Sequence, residues 1–506
     1  MPLLHWYQRD EDLTKSALAP YRLLEPVANL HYGEEDSPNM MIQGDNLDAL
    51  KALLPYYAGQ VKCIFIDPPY NTKSAFEHYD DNLEHATWLS MMYPRLELLR
   101  ELLHPNGSIW VTIDDTEGHY LKVIMDEVFG RGLFVGEFVW QKRTSRENRA
   151  AISSAHDVLY VYAKKPAKEW KKVRNLLAPT GKGYANPDKD PRGEWKSIPF
   201  SAQGHRDNQV YPITTPTGKI HKPPRGRCWG ATEPEFLRLR DIEHKIYFPK
   251  NGNGRPRVKQ FPTEDDGLVP MTIWFASDVG TTDDAKKEIL ALFDDEAPFA
   301  TPKPELLMRR IIHIASNEGD LVLDSFLGSG TTAAVANKMR RRWIGIEAGE
   351  HARTHCVPRL KKVIDGEQGG ASSAVAWPAT GGGGFRFYKL GPPVFDEAGH
   401  IRDGIKFEHL AAHVWFAETG VARSTRATKV AFLGECRGTG YYLLFNGVLG
   451  EKSSHGGNVL TKKLLRSLTP FAGEKIIYGE ACLLSDERLR ELNITFKQTP
   501  YDIKAR

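Results

Sequence analysis

Cysteine is scarce in this chain. Five residues in 506, at positions 63, 228, 356, 436 and 482, are scattered with no Cys-x-x-Cys pair. That argues against a zinc site of paired thiolates and against a disulfide framework, and it suits a reducing compartment. Also missing is any apolar run near the ~18 residues a membrane span needs. The opening Met1-Pro2-Leu3-Leu4-His5-Trp6 has no basic segment followed by an apolar core, so no secretory signal is expected. These absences lead to the expectation of a cytoplasmic chain without membrane contact. What is present is ordinary for a globular protein, 41% hydrophobic and 26% charged, and long enough for two or three domains.

The formal charge of +3 hides an asymmetry. Residues 141–260 hold 26 Lys and Arg against 11 Asp and Glu, whereas the remainder holds 41 against 53. A basic middle inside an acidic chain is the footprint of a polyanion-binding surface, or of a solvated basic insertion.

Residues 1–39 are mixed and proline-interrupted and read as an N-terminal arm. From 40 to 140 strands alternate with helices: Met40–Gln43, a helix with leucines at 47, 50, 53 and 54, the apolar Cys63–Ile66, a helix over 83–103, the strand Ser108–Ile113, a helix over 117–128 and the strand Phe134–Trp140. That alternation predicts an α/β unit with a mainly parallel sheet. Residues 141–300 lose the pattern and become rich in Pro, Gly, Arg, Lys and Trp, although Val158–Tyr162 still reads as a strand of the sheet. Alternation returns over 301–365. Residues 366–384, with four glycines at 381–384, read as a flexible linker to a separate α+β domain over 385–506.

Two stretches carry chemistry. The strand ending at Ile66 stops at Asp67-Pro68-Pro69-Tyr70, and paired prolines cannot continue a sheet ladder. The turn presents an acid, a carbonyl and an aromatic ring at the carboxyl end of a strand, where open α/β sheets bind ligands. The second stretch runs strand, Ser325-Phe326-Leu327-Gly328-Ser329-Gly330, helix from Thr331, strand, Glu347. Its glycines permit close backbone approach at a helix N-terminus, and an acid ending the next strand suits a ribose diol. It has no lysine for phosphates, so it is not a P-loop and fits a nucleoside better than a nucleotide. A third segment, Pro187-Asp188 with Glu194-Trp195-Lys196, looks superficially like a nuclease site. Its flanks read as loop rather than paired strands, which counts against that reading.

Together, Asp67-Pro68-Pro69-Tyr70-Asn71-Thr72 and Phe326-Leu327-Gly328-Ser329-Gly330 resemble the catalytic and cofactor motifs of amino DNA methyltransferases. With the catalytic motif first, the basic insertion next and the cofactor motif last, the order resembles the β class. Asn186-Pro187-Asp188, Asp190-Pro191-Arg192-Gly193, Gly226-Arg227-Cys228-Trp229 and Thr301-Pro302-Lys303-Pro304 resemble adenine-N6 methyltransferases of the type III modification-subunit kind. The resemblance covers roughly 40–365. It implies a Rossmann-like S-adenosylmethionine-dependent methyltransferase sheet, permuted so that the catalytic half (40–140) precedes the cofactor half (301–365). A basic recognition insertion lies between the halves and a small α+β domain follows them.

The resemblance further implies that Asp67 and the Pro68 carbonyl hold the target amine, with Pro69 shaping the turn and Tyr70 stacking on the base. Phe326, Gly328, Gly330 and Thr331 would line the cofactor, and Glu347 would hold its ribose. Asp45 is placed at the adenine end or is a helix cap. Lys303 is placed near the methionine moiety or is a surface lysine, and Asp324 orients the loop or the methionine amine. Arg143, Arg146, Arg149, Arg225, Arg227, Arg255 and Arg257 are the expected contacts to double-stranded DNA. A separate ATP-dependent restriction subunit and a homodimer are compatible partners, and no metal is called for. No Pro-Cys pair occurs, which removes cytosine-C5 methylation. Cytosine-N4 methylation shares the amine chemistry but more often uses serine where this chain has Asp67. A DNA-binding specificity subunit with an inactive methylase fold is the reading from a different class.

Overall fold

The computed structural model describes residues 3–72, 84–179, 182–264, 267–293, 299, 301–395, 401–402, 404–424, 429–448, 453 and 455–499. The chain divides into two compact units, Met1–Asn175 with Met271–Arg506, and Leu176–Pro270.

The larger unit is built on an 11-stranded sheet. Its strands in chain order are β1 (Arg22–Pro26), β2 (Tyr32–Gly33), β3 (Met40–Gln43), β4 (Val61–Ile66), β5 (Leu103–Ile113), β6 (Phe134–Gln141), β7 (His156–Ala163), β8 (Ile273–Trp274), β9 (Leu321–Asp324), β10 (Arg342–Glu347) and β11 (Gly384–Pro393). Their order across the sheet is β1-β11-β3-β10-β9-β4-β5-β7-β6-β8, with β2 beside β11. From β11 to β5 every pairing is parallel. β7 runs antiparallel to both β5 and β6. Central strands of such a sheet are covered on both faces, so they read as unbroken apolar runs rather than alternation. Val61, Cys63, Ile64, Phe65 and Ile66 are all buried, as are Leu321, Val322 and Leu323.

The topology places the site. After β4 the chain moves outward to β5, and after β9 it moves outward the other way to β10, so β4 and β9 flank a topological switch point. Leu321–Leu323 pair in parallel with Val61–Ile64, which brings the turn after Ile66 and the loop after Asp324 to one sheet edge. The two halves of the permuted sheet therefore interleave.

Helices pack on both faces. Asn46–Tyr57 starts at Asp45, whose carboxylate accepts the backbone N–H of Leu47 (2.8 Å) and Asp48 (3.3 Å). His85–Leu102, Glu305–Ala315, Thr331–Lys338 and Val357–Ile364 carry the apolar faces of the remaining cover.

Four expected boundaries change. The N-terminal arm is part of the fold: helix Arg9–Leu18 is anchored by Arg9 on Glu127 (2.5 Å), and β1 pairs with β11. The basic insertion contracts to Leu176–Pro270, because β6, β7 and β8 belong to the main sheet and helix Thr282–Leu292 to the main unit. The linker at 366–384 is packed, with Trp377 buried and the Ala371 N–H donating to Glu305 (2.9 Å). Finally, β11 lies parallel to β3 and completes the main sheet instead of opening a separate domain. The remaining C-terminal residues add helix Phe407–Thr419 and a second sheet, in which the hairpin Phe432–Cys436/Thr439–Leu443 continues in parallel to Glu474–Gly479 and Ile494–Gln498.

The smaller unit has its own core of Phe200, Tyr211, Ile213, Trp229 and Phe236 beside a four-stranded antiparallel sheet. Trp195–Pro199 is a paired strand of that sheet, so the flanks of the nuclease-like segment are not loop. The nuclease reading fails on different grounds. Asp188 and Asp190 are both held by the buried Lys259 (2.5 and 2.6 Å), and Arg192 grips Asp190 (2.8 Å).

A buried ion cluster locks the cofactor half to the segment after it. Glu305 receives Lys338 (2.8 Å) and Arg359 (2.9 Å), all three side chains being 3% exposed or less. Burial alone would raise the Glu305 carboxyl, but Arg359 and Lys338 hold it below its ordinary pKa. Removing one partner strands buried charge, at about 3–5 kcal/mol. Glu305→Ala is therefore expected to lower unfolding stability by about that amount in urea titration; a loss well under 1 kcal/mol would show that the cluster is not coupled to the fold.

Candidate active site

Asp67 follows the last residue of β4, and its side chain is four-fifths buried. One oxygen, Oδ2, takes the Lys303 ammonium. The other, Oδ1, is buried without a hydrogen-bond partner among the described residues. Burial is the largest influence on this carboxyl and raises its pKa, with Lys303 pulling the other way. An unpaired buried acceptor is costly, which makes Oδ1 a place where a donor is missing.

The turn is braced from behind. The Trp88 indole donates to the Pro69 carbonyl (2.7 Å), and Asn71, at φ 60°, donates to the fully buried Glu117 (2.7 Å). The Tyr70 hydroxyl lies 2.9 Å from Thr112 Oγ1 and donates to Asp157 Oδ2 (3.3 Å). Asp157, on β7, is itself neutralised by Lys142 (2.5 Å). Burial, with Asp157 and Asp67 close by, pushes the Tyr70 phenol well above its ordinary pKa, so it remains a donor. The ring is thereby tethered at its far end, with the Lys303 ammonium 5.2 Å from its centroid.

The glycine loop is organised by two acids. Asp324 accepts the Phe326 N–H (2.9 Å) and the Thr332 hydroxyl (2.6 Å). Glu347 accepts the Gly328 N–H on Oε2 (2.7 Å), and on Oε1 the Ala348 N–H (2.8 Å) and His351 Nε2 (2.9 Å). Burial would raise the Glu347 carboxyl, but His351 and these backbone donors hold it below its ordinary value. Gly330 adopts φ 83° where the helix begins, a conformation that excludes most side chains. Gly345, one strand away, would place a Cβ 2.5 Å from Leu327. Thr331 is fixed from below by Arg359 (2.8 Å).

Between these parts lies a cavity of about 450 Å³ lined by Asp67, Pro68, Pro69, Tyr70, Lys142, Asp157 and Lys303, among others. That is the lower range of small-ligand pockets and large enough for a nucleobase. A smaller cavity adjoins it, lined by Asp324, Leu327, Gly328, Ser329 and Thr331.

Asp67, Pro68, Pro69, Tyr70, Lys303, Asp324, Phe326, Gly328 and Thr331 thus line these two cavities, with Gly330 at the end of the loop and Glu347 at the end of β10. Asp45 does not line either one: it caps its helix and pairs with Arg95 (2.8 Å). Lys303 is not a surface lysine, its side chain being 10% exposed. Among the arginines, Arg143 lines the larger cavity, and Arg146, Arg149, Arg225 and Arg255 are exposed. Arg227 and Arg257 are tied to their own sheets, donating to the Ser201 carbonyl (2.8 Å) and to Ser197 (2.5 and 2.7 Å), which removes them from the exposed set. Sequence reasoning missed Thr112, Asp157, Lys142, Trp88 and Glu117. The one signal available was Asp157 heading an otherwise apolar strand.

A glycine loop and an acid after adjacent parallel strands, beside a second pocket walled by an acid and a tyrosine, define a Rossmann-like sheet with two adjoining cavities at its carboxyl edge. The chain belongs to the DNA methylase family of the N6/N4 type, which matches residues 61–355. It is similar to the type III restriction-modification enzyme StyLTI Mod subunit of Salmonella typhimurium, with 34% identity covering 59% of this chain and 50% of that protein. It is also similar to the type II methyltransferase M.EcaI of Enterobacter cloacae, with 33% identity covering 61% of this chain and 66% of that one. The chain spans about half the length of the first of these relatives. Among solved structures, the cytosine-N4-specific PvuII DNA methyltransferase is 14% identical over 68% of this chain and 94% of that one, at a TM-score of 0.37.

Burial raises the Asp324 carboxyl to about 7. The folded chain then keeps a proton that the unfolded chain releases from about pH 4 upward, so this group subtracts stability as pH rises from about 4 to 7. Asp324→Asn removes that slope. The variant's melting temperature is expected to gain on the native chain between pH 5 and pH 8; a constant difference would refute the burial-raised carboxyl.

Proposed function

We propose that this chain transfers a methyl group from S-adenosylmethionine to N6 of an adenine in duplex DNA. The observation that carries the reading is the buried Asp67 Oδ1, without a partner among the described residues, on a residue lining a base-sized cavity beside the glycine loop. The residues present suit the cofactor: Gly328 offers a close backbone approach, the loop carries no phosphate-binding lysine, and Glu347 stands at the ribose position of the fold. When bound, the cofactor supplies an electrophilic methyl on a sulfonium.

The exocyclic amine is a poor nucleophile because its lone pair is delocalised into the ring. Asp67 Oδ1 and the Pro68 carbonyl accept its two N–H bonds and favour a tetrahedral nitrogen. Asp67 is also the nearest base for the proton that leaves after transfer. The gain is positioning and electrostatics rather than covalent catalysis. Tyr70, held by Thr112 and Asp157, stacks on a base that must leave the duplex to enter the cavity. Asp67 in place of a serine favours adenine over cytosine N4. Trp88, Thr112 and Asp157 hold the turn in working geometry, which speaks for an active enzyme rather than an inactive specificity subunit.

The basic residues of 141–260 form the duplex surface. Ten basic and three acidic residues of that stretch lie between 141 and 175, in the main unit, and the rest in the unit Leu176–Pro270. By extension from the StyLTI relative, named as the Mod subunit of a type III restriction-modification enzyme, the chain works in a restriction–modification system; a cytoplasmic location, a separate ATP-dependent restriction subunit and a homodimer are compatible with this. Among the described residues no helix is long and apolar enough to cross a membrane.

Asp67→Ala is expected to abolish methylation of duplex DNA while S-adenosylmethionine binding stays measurable by calorimetry; retained turnover would overturn the role of the acid. Tyr70→Ala should cost about 1–3 kcal/mol of base stacking. Sequencing that resolves modified bases, on genomic DNA from cells with and without the chain, reads base and site together, and N4-methylcytosine would overturn the adenine assignment. Reversing Arg146, Arg149, Arg225 and Arg255 to Glu should weaken DNA binding and flatten its salt dependence, by about one unit of log–log slope per lost phosphate contact. An unchanged slope would place the duplex elsewhere.

A further inference from the structure

The two cavities share a wall: Asp67, Phe299, Lys303, Phe326 and Gly328 line both. The polar centre of that wall is an ion pair. Lys303 places its ammonium on Asp67 Oδ2 and also over the Tyr70 ring, with its side chain almost wholly buried. Three further acids stand close by, Asp114 and Asp157 lining the larger cavity and Asp324 the smaller one. Lys142 is committed to Asp157, so Lys303 is the cation that serves Asp67.

This wall is where methyl donor and acceptor meet under the methyl-transfer reading, on which the inference rests. A sulfonium there is a second unit cation beside the carboxylate that Lys303 already neutralises. We propose that Lys303 is a competing cation: it neutralises the Asp67 carboxylate that a bound sulfonium would also neutralise, so the two charges contend for one acid. Asp67 Oδ1 stays available to one N–H of the target amine, with the Pro68 carbonyl taking the other. Lys303 is a positioning residue in this scheme. It makes a positively charged donor compete for the carboxylate.

The consequence is a selective penalty on the charged cofactor. S-Adenosylmethionine and S-adenosylhomocysteine share the adenosine and the amino-acid groups, so any contact of Lys303 to those groups cancels in the ratio of their affinities. The sulfonium charge does not cancel. Titration calorimetry at mildly alkaline pH with both nucleosides is the test, on the native chain, on Lys303→Met and Lys303→Gln, which are neutral, and on Lys303→Arg. The neutral variants are expected to shift the preference toward S-adenosylmethionine by roughly tenfold or more, the scale of repulsion between unit charges a few ångströms apart in a partly buried site. Lys303→Arg should keep the native ratio. An unchanged or reversed ratio in whichever neutral variant folds would overturn the proposal. Binding of neither nucleoside by the native chain would instead overturn the methyl-transfer reading.

Discussion

The parallel pairing of Leu321–Leu323 with Val61–Ile64 is the constraint on which the site depends. These two short strands lie more than 250 residues apart in sequence, and every functional side chain follows one or the other or rests on a neighbour. Their shared direction puts both carboxyl ends at one edge, and the outward departures to β5 and β10 open the crevice between them. A one-residue slip in this register would turn alternate side chains to the opposite face. The buried apolar runs on both strands fix the pairing, while Gly345 leaves room for Leu327 to seat the loop.

What could be read from the sequence was local. The apolar run ending in Asp67-Pro68-Pro69-Tyr70, the glycine loop ending in Thr331, and the helices over 85–102 and 305–315 declare themselves through periodicity, proline and glycine. What could not be read was set by distant partners. The Gly384–Pro393 strand looks like the start of a domain because glycines precede it, yet its partners are Arg22–Pro26 and Met40–Gln43. The supposed linker is tied down by Glu305, an acid at a helix start, where a solvated side chain is the ordinary expectation. Arg257 reads as a free cation in a basic stretch, whereas its guanidinium holds the facing strand at Ser197. Asp157 escaped notice because an acid heading a strand is usually solvated, and only the fold brings Lys142 and Tyr70 to it.

Two kinds of acid are distinguishable at this edge. Glu347 is saturated by backbone donors and His351, so its charge organises the loop and is held in place. Asp324 similarly spends its oxygens on Phe326 and Thr332. Asp67 differs, with one oxygen on Lys303 and the other without a hydrogen-bond partner among the described residues. Glu347 and Asp324 are thus committed to the loop, whereas Asp67, which lines both cavities, keeps an oxygen open.

That difference bears on what the site will accept. Asp67, Asp114, Asp157 and Asp324 line the two cavities, and the protein answers them from the inside with Lys142 and Lys303. A cavity with more buried carboxylate than buried cation favours ligands that bring positive charge or hydrogen-bond donors, and disfavours phosphates. The rim carries the opposite sign, with Arg143 and Lys286 at the mouth and a basic loop beyond. Under the proposed function a duplex backbone would be attracted to the exposed arginines and lysines and repelled from the interior, whereas an amine-bearing base would meet acceptors once inside. On that proposal the change of charge sign separates the part of a nucleic acid that is held from the part that reacts.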